Sequence, residues 1–476
     1  MGKNNKNVNS NRLIALISMV GSLMLSLMAL DALAIPAFAE QTGQPCAQCH
    51  VGAFGPQLKP YGRDFKLYGY TASDGEKHLP GIAITTQSSL SHVASNNDAG
   101  YTPASNSTLL DQQVSAYFGG HITEESGAFV QVTYEPGGGT NPAGGNYNAG
   151  NWHWDNMDLR YAHLTKLGGK DVLLGVTVNN APTMQDVWNS TPIWAYPYNG
   201  PSQANAGAPA AVSLLDNTLQ QNVMGAGVYA MWNDTIYVEA TAYKGLGGRV
   251  LTALGQRPGN PSDNYPDLMP YWRIALQHDS ENHNVEIGAL GLMGSKYPSG
   301  DTSLGGKDRF RDHAFDFNYQ YKGSDTHYIS AHAIYEIEDM DLNYSVASGN
   351  AINRTNQLKT FRADVSYSYE NRITPTIGYF HTMGTTDAAY WQSSAAAGPL
   401  PNASVSPNSQ GYVAEIAYVF LGQTKSVPQW ANARLSLQWY AYQQFNGTSA
   451  NASSNNTLYL SLWLAFSPTY AYEVNH

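Results

Sequence analysis

The sequence predicts an all-β chain that closes into a sixteen-stranded antiparallel transmembrane β-barrel, preceded by a short N-terminal segment with a chemistry of its own. Three observations carry this expectation. From Ile82 onward, apolar and polar residues alternate in stretches of about ten residues, the signature of a barrel strand with one face in lipid. The stretches are joined by connections that are tight and long in turn, as in bacterial outer-membrane barrels. The composition is poor in charge without being apolar: charged residues make up 13% of 476, against roughly 25% in an ordinary soluble domain, yet mean hydropathy is −0.34. Beyond roughly the first 30 residues no run of about 18 apolar residues exists, which excludes a helical membrane bundle. The 45 Gly, 32 Tyr and 10 Trp residues suit turns, strands and aromatic interfaces instead.

Residues 1–39 read as a signal peptide. Lys3, Lys6 and Arg12 precede an apolar stretch from Leu13 to Leu30, and Ala37-Phe38-Ala39 is a small-x-small cleavage site. The mature chain is then expected to start near Glu40. It keeps 22 of the 25 Lys and Arg and 35 of the 36 Asp and Glu, a net charge of −13 against −11 for the whole chain. Such an acidic chain is a poor nucleic-acid binder, because neutralising phosphate takes a cationic surface. Cations or basic proteins suit it better.

Residues 40–80 form the segment with separate chemistry. The chain's only two cysteines lie in Cys46-Ala47-Gln48-Cys49-His50, and C-x-x-C-H is the attachment signature of c-type haem. Two thiols three residues apart can each add to a vinyl group, and the adjacent His50 is then held beneath the iron as the proximal ligand. A thioredoxin-like pair lacks its βαβ context, and a zinc half-site lacks a second pair of ligands. The segment is also only about as long as domains that need a metal or another staple to fold. It is expected to wrap one face of a haem, with one short helix near residues 61–68, while the remaining chain covers the other face. Residues 51–80 contain no Met and only one His, His78. The second axial ligand is therefore expected from His78, from Met184 in a long loop, or from His332 on the lumen face of a strand.

The strands are expected near 82–92, 111–122, 127–135, 155–166, 171–179, 222–232, 235–244, 271–279, 283–293, 308–321, 326–338, 357–369, 373–382, 410–420, 433–445 and 456–466. The last is the clearest: Leu458, Leu460, Leu462, Leu464 and Phe466 alternate with Thr457, Tyr459, Ser461, Trp463 and Ala465, and a period of two puts each set on one face. Residues 123–126, 167–170, 233–234, 280–282, 322–325 and 370–372 make tight turns. The exception is 421–432, twelve residues where a short turn is expected. The barrel spans 81–466, with 467–476 as a tail. Sixteen strands enclose a lumen wide enough for an aqueous channel, so the haem segment can sit inside. The longest external loop, 180–221, carries Asp186 and Asp216 as its only charges, with Met184, Trp188, Trp194, Tyr196, Tyr198 and five prolines. It is expected to fold into the pore and roof the haem. On the presumed lumen face, Glu239, Glu286, Asp316, Glu336, Asp364 and Glu415 could draw cations inward or pair with Arg160, Arg273, Arg362 and Arg434.

With these residues in view, the chain resembles the outer-membrane monohaem cytochrome-porin fusions of iron-oxidising bacteria, in which one c-type haem precedes a porin-like barrel. The resemblance covers the whole mature chain in architecture. It is most specific in the Cys46-to-His50 motif, Phe54-Gly55-Pro56, Tyr61-Gly62-Arg63 and Phe65-Lys66-Leu67-Tyr68-Gly69-Tyr70-Thr71, and less so in the stretch from Pro182-Thr183 to Pro197-Tyr198. It implies one covalently bound haem c on Cys46 and Cys49, with His50 as axial ligand. It also implies an outer-membrane oxidoreductase that takes electrons from extracellular Fe(II) and passes them to a periplasmic c-type cytochrome. Two other functions fit the same architecture: an outward electron conduit, and a porin whose haem segment is only a plug or sensor.

Overall fold

The fold is described by a computed structural model for residues 37–75, 81–94, 109–135, 151–190, 211–219, 221–255, 265–298, 305–324, 326–393, 406–423 and 431–467. Sixteen antiparallel strands form one closed barrel, each bonded to its neighbours in sequence, with the first and last joined. They are β1 (Gly81–Val93), β2 (Leu109–Thr123), β3 (Ser126–Glu135), β4 (Asn151–Leu167), β5 (Lys170–Asn179), β6 (Val223–Trp232), β7 (Ile236–Gly245), β8 (Leu268–Asp279), β9 (His283–Lys296), β10 (Asp308–Lys322), β11 (His327–Asp341), β12 (Thr355–Tyr369), β13 (Ile373–Gly384), β14 (Ser409–Val419), β15 (Ala431–Gln444) and β16 (Thr457–Phe466). The seam between β1 and β16 runs from Ile84 opposite Phe466 to Val93 opposite Thr457.

Every expected strand is present. The ends move where the ladder outlasts the apolar pattern: β4 starts at Asn151 because His153 and Asp155 stay buried while Trp152 and Trp154 stay outside. Alternation sorts the two faces. On β16, Tyr459, Ser461 and Ala465 are buried in the lumen, while Leu458, Leu464 and Phe466 face out. Elsewhere Ile377, Phe315, Val228 and Ile287 are more than half exposed on the outer face, as a lipid-facing band requires. The tight turns have the backbone that two-residue hairpins demand, with positive φ at both central residues. Gly168 and Gly169 (61° and 78°), Asn233 and Asp234 (50° and 52°), and Glu370 and Asn371 (54° and 52°) all meet this requirement.

The lumen is filled rather than open. Residues 37–75 enter it at the short-turn end as three helices, α1 (Ala37–Thr42), α2 (Cys46–Cys49) and α3 (Pro60–Leu67), with a 3-10 turn at Val51–Ala53. The expected cleavage point after Ala39 falls inside α1, where Phe38 stacks on Tyr70 with ring centroids 5.5 Å apart and meets Phe65 edge-on at 4.9 Å. A chain cut after Ala39 would lose Phe38 and these two ring contacts with it. The loop after β5 also turns inward. Its first part, containing α4 (Pro182–Gln185), is buried through Ser190, and its last part places Leu214, Leu215 and Leu219 in an apolar cluster with Met269, Tyr271, Leu290 and Leu292. Residues 191–210, including Trp194, Tyr196 and Tyr198, lie outside the described residues.

Candidate functional site

The C-x-x-C-H motif forms one turn of helix. The His50 N–H donates to the Cys46 carbonyl (2.8 Å), closing α2, and His50 then pairs with Leu58 across a short bridge. Returning past this bridge, the chain donates from Lys59 N–H to the Cys49 carbonyl (2.8 Å) and starts α3 with Pro60 in its first turn, a position where the missing N–H costs nothing. Gly62 lies against Cys49 so closely that a Cβ there would stand 2.5 Å from the Cys49 oxygen. Gly52, at φ 65°, makes the tight bend just after His50 that a residue with Cβ adopts only at a cost.

Polar contacts hold this segment to opposite walls. Arg63 donates to Gln320 Oε1 (3.1 Å) and Asn284 Oδ1 (2.6 Å), and Gln57 to Ser330 Oγ (2.9 Å). Lys59 donates to Asn371 Oδ1 (2.7 Å). On the other side Tyr70 donates to Asp158 (2.6 Å), and Tyr229 to the Leu67 carbonyl (2.6 Å). Asn432 Nδ2 reaches the Ala53 carbonyl (2.9 Å). The over-long connection between β14 and β15 has a local purpose. Ala47 N–H donates to the Gly422 carbonyl (2.9 Å), and a Cβ on Gly422, at φ 79°, would meet Cys46 Cβ at 2.9 Å.

Beside the motif lies a mainly apolar cavity of about 180 Å³. Cys49 and His50 line it, with Phe38, Phe129 and Trp463 among its aromatic walls, and Cys46 packs in one cluster with Trp463 at its edge. Met184 also lines it, carried in by α4 from more than 130 residues away in sequence. The expectation that the loop after β5 covers this place therefore agrees with where its first part lies. Of the three residues expected as alternative second ligands, only Met184 borders the cavity among the described residues. His332 faces the lumen but points elsewhere, with Nε2 2.7 Å from Gln57 and Nδ1 3.1 Å from Asp364. His78 lies outside the described residues.

The donor set and its surroundings fit a c-type haem. The two cysteines are not joined to each other. Burial pulls His50 down to about 4, with Gly55 acting in the opposite direction, so its imidazole is neutral at neutral pH, the form that ligates a metal. His50 lies against the Gly55 backbone, and its Nδ1 is buried with no hydrogen-bond partner among the described residues. Burial raises the Cys49 thiol to about 12, so an unmodified Cys49 is protonated and unreactive.

The lumen carboxylates turn out to hold the packing together. Arg273 binds Glu286 (3.0 Å) and Asp316 (2.6 Å), Arg160 binds Asp158 (2.7 Å), Arg362 binds Asp216 (2.6 Å), and Arg434 pairs with Glu415. Glu239 accepts from Tyr237 (2.8 Å), Asp364 faces His332, and Glu336 accepts from Ser213. Of the two roles the sequence left open for them, pairing is the one their contacts display. Asp158, Asp216 and Tyr237 carried no signal in the sequence beyond sitting at lumen positions of strands or in the inserted loop.

No protein-family model matches the chain, and no curated protein does. Among solved structures it is similar to OmpF of Salmonella typhi in complex with daunomycin, at 12% identity and a TM-score of 0.45 over 81% of this chain and 97% of that one. It is also similar to OprB of Pseudomonas putida, at 14% identity and a TM-score of 0.45 over 82% and 94%. A third is the outer-membrane channel DcaP of Acinetobacter baumannii, at 11% identity and a TM-score of 0.42 over 81% and 96%. The closed ladder and the apolar outer band define the class: the chain is a porin-like outer-membrane β-barrel.

Proposed function

We propose that this barrel is an outer-membrane c-type cytochrome that takes electrons from extracellular Fe(II) and delivers them to a periplasmic c-type cytochrome. The observation that carries the reading is the convergence of Cys49, His50 and Met184 on one apolar cavity inside a plugged lumen. Cys46 and Cys49 would hold the haem covalently, His50 would be its proximal ligand, and Met184, which borders the same cavity, would be the second. Haem c supplies reversible one-electron chemistry when bound. Methionine as the second ligand raises the potential relative to histidine, which favours accepting electrons from iron over an outward flow.

The rest of the mechanism belongs to the chain. Residues 37–75 and the inserted loop occupy the lumen and bond to opposite walls, which argues against a passive channel and keeps iron and its poorly soluble ferric product outside. At the short-turn end a cleft of about 650 Å³ is lined by Gln48, Tyr61 and the turns at 280–282 and 370–372. It brings the backbone between the two cysteines close to the periplasmic opening, where an acceptor protein can approach.

The test is anaerobic. Purified oxidised protein is mixed with Fe(II) in a stopped-flow spectrophotometer, alongside a redox titration. Rapid reduction of the haem bands is expected. Reduction by dithionite but not by iron would sink the iron-oxidising reading and leave the outward conduit or the plugged porin.

A second expectation concerns assembly. Gly62→Val places side-chain atoms against the Cys49 carbonyl, which is backbone and cannot move aside cheaply. The haem-to-protein ratio, read as the pyridine haemochrome, is expected to fall several-fold. An unchanged ratio would show that this contact does not set the thiol geometry.

A further inference from the structure

One lysine inside the lumen has a charge that its contacts leave unanswered. Lys66, on α3, is 9% exposed, and its ammonium donates to the Asp186 carbonyl (2.9 Å). No carboxylate lies within salt-bridge reach of it among the described residues. The acidic groups facing it are committed elsewhere: Asp158 to Arg160 and Tyr70, Asp186 to Arg273 at 3.7 Å, and Glu239 to Tyr237. The nearest cation, Arg160, repels it. A buried ammonium with one neutral acceptor is costly unless an anion joins it, and it has two further N–H donors to offer.

Lys66 lines the same cavity as Cys49 and His50. Gly62 and Lys66 are four residues apart and so share a face of α3, about 6 Å apart along its axis. Cys49 and Lys66 therefore meet the cavity at different levels of α3. We propose that Lys66 binds a carboxylate of the molecule in this cavity, which on the haem reading above is a propionate. The two carboxylates of haem lie on the side of the ring away from the vinyl groups that thiols take, so attachment at the cysteines turns them toward the far end. Asn189, which gives one amide N–H to the Pro56 carbonyl, and Tyr70, which donates to Asp158, also border the cavity but are uncharged, and Lys66 is the only Lys or Arg in its described lining. Lys66 is left as the counter-ion. Burial and Arg160 pull its ammonium down to about 8 against the opposing pull of Asp158, Asp186 and Glu239, none of whose carboxylates is bonded to it, and a carboxylate in direct contact would lift it. A propionate neutralised in this way stops opposing the extra electron, so Lys66 tunes the potential of the site.

The inference rests on the haem reading, and the wild-type protein separates the two. Full-length wild type, Lys66→Gln and Lys66→Arg are purified, their covalent haem is quantified, and midpoint potentials are measured spectroelectrochemically from pH 5 to 9. Gln keeps a donor for the Asp186 carbonyl but not the charge. Its haem content is expected to match wild type, while its reduction equilibrium falls about tenfold, which is about 59 mV for one electron, with a steeper pH dependence. Lys66→Arg is expected to stay near wild type. A Gln variant with the wild-type midpoint and pH profile would overturn the proposal and leave Lys66 as a tether for the loop. So would an Arg variant that falls as far as Gln. Wild-type protein without covalent haem would instead refute the function proposed above.

Discussion

With Cys46 and Cys49 both replaced by serine, the protein is expected to insert as a folded barrel and to carry no haem that survives denaturing electrophoresis. The sixteen ladders that close the wall run through residues 81–466 and include neither cysteine. What the substitution disturbs is local. Cys46 packs with Ala47, Ala53, Phe54, Val419, Trp463 and Ala465, and a buried hydroxyl in such a place costs about 1–3 kcal/mol. That is enough to loosen the contact with Gly422 but not to open a barrel. Haem staining of the gel reads the first half of the expectation, and the mobility shift between heated and unheated samples reads the second. Haem retained by the double variant would refute covalent attachment at these thiols.

The largest expected loss of stability comes from Arg273→Met. Arg273 is fully buried and lies over the Trp188 ring at 4.9 Å, bonded to Glu286 on β9 and Asp316 on β10, with Asp186 of the inserted loop at 3.7 Å. Removing the one cation strands three buried carboxylates, and breaking a buried pair in this way costs about 3–5 kcal/mol. Because Asp186 and Trp188 belong to the loop, the expected consequence is release of residues 180–190. Denaturant midpoints and limited proteolysis read both effects. Glu286→Gln with Asp316→Asn in the same chain should recover part of the loss, since these sites are coupled. A variant as stable as wild type to within about 0.5 kcal/mol would show that the loop is held by its apolar packing alone.

The strands could be read from the sequence because a wall between lipid and lumen forces a period of two on every crossing. The tight turns were legible because Gly168-Gly169 and Asn233-Asp234 are the residues that tolerate positive φ. The C-x-x-C-H motif was legible because its residues are contiguous. What stayed hidden depends on residues far apart in the chain. Nothing near Arg63 announces Gln320 and Asn284, and nothing near Met184 shows that α4 would bring it to the cavity rather than leave it as packing. His332 was placed correctly on the lumen face, but a period of two says which way a side chain points and not what it meets; it meets Gln57 and Asp364. The connection after β14 looked like an irregularity because the sequence could not show Cys46 waiting beneath it. Lys66 gave no sign of burial because a lysine on a short amphipathic helix is ordinarily a solvated charge.

The seam between β1 and β16 sets a timetable. It joins Ile84 to Phe466, a pairing of such sequence separation that loop-closure entropy makes it slow to form. The N-terminal segment is bonded both to β4, near the start of the barrel, and to β15, near its end. On the haem reading, a segment already in position when the ring shuts would be enclosed with whatever its thiols carry. Thiol chemistry on an accessible chain would, on that reading, come first and closure in the membrane second.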